Sequence, residues 1–130
     1  MKRLSVDRPA RTVLIVALCW LVSATPLRVI DGDTFTATLP IWLGLTATET
    51  IRVLGVNTPE RKGPARPAGE AAKAFTERWL QEGTEIAVRV CERDSFGRVL
   101  GRVTRRGLAG TEGLAEALLG AGHAVPYLKP

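Results

Sequence analysis

The stretch Leu27-Arg-Val-Ile-Asp-Gly-Asp-Thr-Phe-Thr-Ala-Thr-Leu39 carries the strongest fold signal in the chain. A short aliphatic and β-branched run ends in Asp31-Gly32-Asp33, and a second run, 34–39, alternates polar and apolar side chains. Alternation with period two marks a strand with one buried face, and Asp-Gly between two such runs marks a tight hairpin. Further along, residues 40–48 (PIWLGLTAT) read as an apolar hairpin connection. Trp42 stands at its tip, either as a packing anchor or as a contact for a base. Residues 49–56 form the third strand, stopped by Asn57-Thr58-Pro59. The stretch 59–68 carries three prolines with Arg61, Lys62 and Arg66, and reads as a mobile, solvated loop.

The spacing then predicts a helix over 70–80, with Ala72, Phe75 and Trp79 on one face, Glu70 near the N-terminus and Gly83 past the end. Alternation returns over 85–90, with Ile86, Val88 and Val90 on one side. A turn at 93–97 leads to a strand through Val99, Gly101 and Val103. Thr111 is placed to cap a second helix whose apolar face is Leu114, Ala117, Leu118 and Ala121, closed by Gly122. Three strands, a helix, two strands and a helix give a mainly β fold with two helices, in the order of a five-stranded OB-fold barrel.

With 130 residues there is room for one domain. The net charge is +5, but Lys2, Arg3, Arg8 and Arg11 against Asp7 put +3 of it in residues 1–24 and leave +2 for the rest. Bulk charge is therefore no argument for nucleic acid, and individual arginines must carry it. The N-terminus has basic residues, an apolar run over 13–22 and small residues ending Val22-Ser23-Ala24, the pattern of a signal peptide. The expected division is a leader over 1–24 and a domain over 25–130, secreted or periplasmic. Retention of the segment as an uncleaved anchor is the alternative, although the run is about half of the ~20 residues needed to span a bilayer. Cys19 lacks the small preceding residue of a lipidation site, since Leu18 stands there. Loss of the leader would leave Cys91 alone, expected in the core as a small hydrophobe and without a disulfide.

Three polar clusters fall at strand ends: Asp31-Gly-Asp-Thr34, Arg52 with Asn57-Thr-Pro-Glu60, and Asp94 with Gly97-Arg98. Together they offer oxygen donors for a hard cation, a carboxylate base and two guanidinium groups, which is equipment for attacking a phosphodiester. The ordered motifs Val29-Ile-Asp-Gly-Asp-Thr34, Ile51-Arg-Val-Leu-Gly-Val-Asn-Thr-Pro-Glu60, Gly69-Glu-Ala-Ala-Lys-Ala-Phe-Thr76, Asp94-Ser-Phe-Gly-Arg98 and Leu114-Ala-Glu-Ala-Leu-Leu-Gly-Ala-Gly122 resemble those of staphylococcal-nuclease domains over residues 27–127.

That resemblance implies a calcium-dependent endonuclease acting on single-stranded DNA and on RNA, leaving 3′-phosphates. Asp33 would ligate Ca2+ with Asp31 behind it, Thr58 would lend its backbone carbonyl, and Asn57 stands where the family has an aspartate ligand. Glu60 would deprotonate the attacking water, while Arg52 and Arg98 would hold the scissile phosphate. Ser95 and Phe96 replace a lysine and a tyrosine that touch a terminal phosphate, leaving Tyr127 and Trp42 to stack on bases. The resemblance implies a monomer without a stable protein partner and, once the leader is cut, without a membrane contact. The sequence also ends before the family's usual third helix, so the expected core is small and steadied by bound calcium and nucleotide. A barrel that binds nucleic acid without turnover is the competing reading. His123 receives no role.

Overall fold

The computed structural model of the chain describes residues 19–128. Its elements are β1 (Trp20–Ser23), β2 (Thr25–Asp31), β3 (Thr34–Trp42), β4 (Leu45–Val53), β5 (Val56–Asn57), α1 (Arg66–Glu82), β6 (Thr84–Arg93), β7 (Val99–Gly107), β8 (Gly110–Gly113), α2 (Leu114–Gly120) and β9 (Val125–Pro126). The main sheet runs β1-β6-β7-β4-β3-β2, with β8 on β7, and β5 pairs with β9 in a small second sheet. All of its pairings are antiparallel except β4 with β7, where Ile51 faces Val99 and Arg52 faces Leu100.

The two ends of that path, β1 and β2, are consecutive pieces of one stretch of chain. Ala24 is the joint, buried and donating its N–H to the Ile86 carbonyl at 2.9 Å. The mostly β sheet therefore curls as an OB-like barrel, although its hydrogen-bonded path is not a closed ring. Inside lie Phe35, Val88 and Val103, from runs whose alternation marks a buried face, together with Ile51, Val53 and Val56. Leu114 and Leu118 of α2 and Trp79 and Leu80 of α1 complete the core.

Several local expectations change. The first strand begins seven residues earlier than Leu27, because β1 pairs with β6 in register Trp20 with Val90 through Ser23 with Ala87. Residues 40–48 do form a hairpin, and more of it is strand than a connection implies: the β3–β4 ladder continues through Pro40–Thr46 and Trp42–Leu45, and only Leu43-Gly44 turns. Gly44 takes φ +76°, a conformation glycine adopts without steric cost, so the strands run to the tip. Residues 59–68 hold more structure than a mobile loop. A 3-10 turn at Gly63–Ala65 leads into α1, which starts at Arg66 with Pro67 in its first turn, where a missing N–H costs nothing. Thr111 does not cap α2; it pairs with Arg106 in the β7–β8 hairpin, and sheet pairing displaces the cap.

Cys91 does not point into the core. It is exposed and disulfide-bonded to Cys19, 72 positions away in the sequence. Residues 1–18 of the expected leader lie outside the described residues. Residues 20–24 are part of the barrel, so a cut after Ala24 would remove β1 and the disulfide together.

Candidate active site

The hairpin that opens the site owes its shape to a close approach. A Cβ on Gly32 would stand 2.8 Å from the Ala72 Cβ and 2.9 Å from the Thr58 Cγ2, so only glycine lets α1 pack directly on this turn. Thr76, one turn further along the same helix face, donates its hydroxyl to the Gly32 carbonyl at 2.6 Å. Gly69 does the same for the next segment, since a Cβ there would collide with the Glu60 carbonyl. Gly69, Ala72 and Thr76 thus fix two separate loops against one helix face. That explains the spacing of the motif over 69–76 in physical terms.

These loops and the β6–β7 turn enclose a cleft of about 700 Å3. Asp31, Asp33, Arg52, Asn57, Thr58, Glu60, Arg98 and Tyr127 all line it. Trp42 does not: it is 73% exposed at the tip of the β3–β4 hairpin and has no place in this lining.

Asp33 is buried at the floor. Its carboxylate accepts from the Thr34 hydroxyl and from the Thr58 N–H, each at 2.9 Å, and pairs with the Arg52 guanidinium at 3.5 Å. Arg52 is itself buried, which a guanidinium tolerates only when its donors are satisfied. Its Nη1 donates to the Val53 and Val56 carbonyls at 2.8 Å, and Nη2 donates to Asn57 Oδ1 at 3.2 Å. The Tyr127 ring lies 5.8 Å from its Cζ. Tyr127 reaches this position because β9 pairs with β5 and its N–H donates to the Gly55 carbonyl at 2.9 Å.

Arg98 is held from below by Asp94, whose Oδ2 accepts from Nε at 2.7 Å. The other Asp94 oxygen accepts the Phe96 and Arg98 backbone N–H groups at 2.9 Å, closing the turn around its own carboxylate. Desolvation pushes the Asp94 pKa up, but the hydrogen bonds from Arg98 and Phe96 together with the Arg98 charge outweigh it and hold the group below its ordinary value. Arg93 braces the same turn by donating to the Gly97 carbonyl at 2.8 Å while gripping Glu49 with two hydrogen bonds of 2.9 and 2.7 Å. Phe96 stands exposed at the cleft mouth, with its ring 5.4 Å from the Arg98 Cζ.

Arg61, which reads in the sequence as part of a solvated charge run, is tied into the site. Its Nε donates to Asp31 at 3.0 Å and its Nη1 to Glu70 at 3.4 Å, joining the loop to both the hairpin and α1. Carboxylates at 31 and 70 flanking a basic loop are too common a pattern to identify it beforehand. Among the described residues no group of three or more His, Cys, Asp or Glu side chains stands together as a metal site. The oxygens assembled at the cleft floor are those of two aspartates, an amide and Thr58, whose buried hydroxyl has no hydrogen-bond partner. His123 packs its ring 5.0 Å from that of Phe75, a structural contact.

Comparison with curated proteins finds no match. A family model described as staphylococcal nuclease homologue matches residues 50–129, which contain Arg52, Asn57, Thr58, Glu60, Arg98 and Tyr127. This domain is an OB fold, and its family implies a nuclease-type or nucleic-acid-binding module. The match covers more than half of the sequence, and the chain belongs to the staphylococcal nuclease homologue family.

Proposed function

We propose that the protein is an exported, calcium-dependent endonuclease that hydrolyses phosphodiester bonds in single-stranded DNA and in RNA. The observation that carries this reading is that Asp33, Arg52, Glu60 and Arg98, from four different segments, line one cleft. A pure binding surface has no need of a solvent-exposed carboxylate in the same cleft as two anchored guanidinium groups. The disulfide supports export, because such bonds persist in oxidising compartments.

In the proposed reaction Glu60, exposed in the cleft, takes a proton from a water molecule. The water oxygen bonds to phosphorus, the bond from phosphorus to the 5′-oxygen breaks, and that oxygen leaves as a hydroxyl after taking a proton from solvent. The product strand ends in a 3′-phosphate. Arg52 and Arg98 neutralise the charge that grows on the phosphoryl oxygens, and each is pre-oriented by hydrogen bonds that need no rearrangement during the step. The all-oxygen donors Asp31, Asp33, Asn57 and Thr58 fit a hard cation, and bound Ca2+ would supply Lewis-acid polarisation of the phosphate. Tyr127 and Phe96 offer rings to flanking bases.

The test is incubation of the purified chain with single-stranded DNA, with calcium or with a chelator, beside Glu60→Gln and Arg98→Ala. Each variant is expected to lose roughly a hundredfold or more in rate. Cleavage that persists in chelator, or in both variants, removes the reading.

One observation favours a second reading, binding without turnover. Asn57 brings no charge to the cation set, and its carbonyl oxygen already accepts from Arg52. Site charge sets calcium affinity, so Asn57→Asp is expected to lower the half-saturating calcium concentration for cleavage. An unchanged half-saturation would count against a ligand role. Calcium-dependent DNA binding with no cleavage in either protein would establish the second reading.

A further inference from the structure

The loop that carries Glu60 has no regular structure to hold it. Residues 58–62, between β5 and the 3-10 turn at Gly63–Ala65, belong to no helix or strand. The Glu60 side chain is exposed, so its place in the cleft depends on how that backbone is fixed. Ahead of it the Thr58 N–H donates to Asp33 at 2.9 Å, and Gly69 lets α1 approach the Glu60 carbonyl. The next side chain, Arg61, reaches across to two other segments. Its Nε donates to Asp31 Oδ1, at the end of β2, at 3.0 Å, and its Nη1 to Glu70 Oε1, on α1, at 3.4 Å. A guanidinium suits this use, because its donors point in fixed directions and can meet two carboxylates at once.

Asp31 also lines the cleft, among the oxygens offered to a cation. Its Oδ1 already faces the Arg61 charge. One carboxylate thus serves two positive partners. We propose that Arg61 is a positioning residue that clamps the Glu60 loop onto Asp31 and Glu70 and, by sharing Asp31, lowers the affinity of the cleft for calcium. The inference rests on the nuclease reading above and adds a coupling between the base and the cation site. Its two consequences have opposite signs. With Arg61 in place Glu60 is held and calcium is bound loosely. Without it the Asp31 charge is unopposed, while the loop loses its side-chain anchor. Site charge sets calcium affinity, so loss of Arg61 should tighten calcium binding about fivefold. A residue that only stabilised the fold would, on removal, weaken calcium binding and turnover together.

The test compares the full chain, disulfide intact, with Arg61→Gln and Arg61→Lys. Calcium binding to the free protein is measured by calorimetry, backbone hydrogen exchange over residues 58–65 by mass spectrometry, and cleavage of single-stranded DNA at saturating calcium. In Arg61→Gln calcium affinity is expected to rise about fivefold, exchange over 58–65 to quicken, and kcat to fall about tenfold. Tm should change little, since the side chains of Arg61, Asp31 and Glu70 are 30%, 41% and 44% exposed. Arg61→Lys restores the charge but not the fork, so its calcium affinity should match the parent while its kcat lies between the two. Calcium affinity that is unchanged or lower in Arg61→Gln, or loop exchange equal to the parent's, overturns the proposal. The nuclease reading fails separately. A parent that cuts no DNA, yet shows tighter calcium binding and faster loop exchange on Arg61→Gln, removes the chemistry and upholds the clamp. A parent that binds no calcium removes both.

Discussion

The two arginines of the cleft are positioned by different means. Arg52 is buried and spends its donors on the Val53 and Val56 carbonyls and on Asn57, so its place is set by the fold around it. Arg98 is partly exposed and depends on one carboxylate, Asp94, which also organises the turn that carries it. Asp94→Asn keeps the acceptor for the backbone N–H groups but removes the charge facing Nε. A charge-assisted hydrogen bond contributes about 1.5 kcal/mol, so we expect kcat for single-stranded DNA to fall roughly tenfold and Tm to fall by a few degrees. A variant with unaltered kcat would show that Arg98 needs no such support. The pH sense follows from the lowered pKa. A carboxylate whose folded pKa lies below its ordinary value of 3.8 stabilises the turn fully above that value, and the contribution is lost only as pH falls through the depressed pKa. Titrating Asp94 by NMR should therefore give a midpoint below 3.8, and a midpoint at or above it would contradict the geometry.

Among the elements, helix α1 is the jig on which the site is assembled. Ala72 and Thr76 touch the Gly32 turn, and Gly69 admits the Glu60 backbone. Glycine to alanine inside a helix normally stabilises by up to about 1 kcal/mol. Gly69→Ala should reverse that sign, because the new methyl meets the Glu60 carbonyl and, at 2.9 Å, the Pro59 oxygen. We expect Tm to fall by several degrees and cleavage to drop about tenfold as Glu60 shifts, since small misplacements of reacting groups are costly. Gly120→Ala, in α2 and with nothing within 4 Å of its Cβ, is the control and should leave cleavage unchanged and Tm unchanged or slightly raised. Equal behaviour of the two variants would dismiss α1 as the jig. The periodicity of this helix is legible in Ala72, Phe75 and Trp79, and so are Asp33, Arg52, Glu60 and Arg98 as a set. Its start is not, because Pro67 reads as a breaker unless it is known to sit in the first turn. Thr111 misleads for a related reason: a good capping residue says nothing about whether a neighbouring strand will claim it.

Across the molecule, charged side chains gather in the cleft, while the hairpin tip and β1 expose apolar ones, Trp42 and Leu43 on the first and Trp20 and Leu21 on the second. β1 is the element least legible in the sequence. Trp20–Ser23 continues an apolar run that has the charge and spacing of a leader, and nothing local distinguishes a half-strand from the tail of such a segment. Its partner β6 is some seventy residues away, a pairing that only the folded chain reveals. Two separate bonds then hold it, the ladder to β6 and the disulfide to Cys91. A crosslink across a separation of 72 residues restricts the unfolded chain by about 4 kcal/mol on chain-entropy grounds, of which about 2–4 is usually realised. Each kcal/mol moves Tm by about 4 °C in a domain of this size, so reduction, or Cys19→Ser with Cys91→Ser, should lower Tm by about 10 °C. Removing residues 1–24 takes away the same crosslink and also the β1 ladder and the Ala24 joint, so that truncation should destabilise further than the serine pair does. Thermal unfolding of the three proteins, followed by circular dichroism, decides the matter. If the reduced and oxidised chains melt together, or the truncated protein is as stable as the parent, β1 is an appendage and the barrel is sufficient from Thr25 onward.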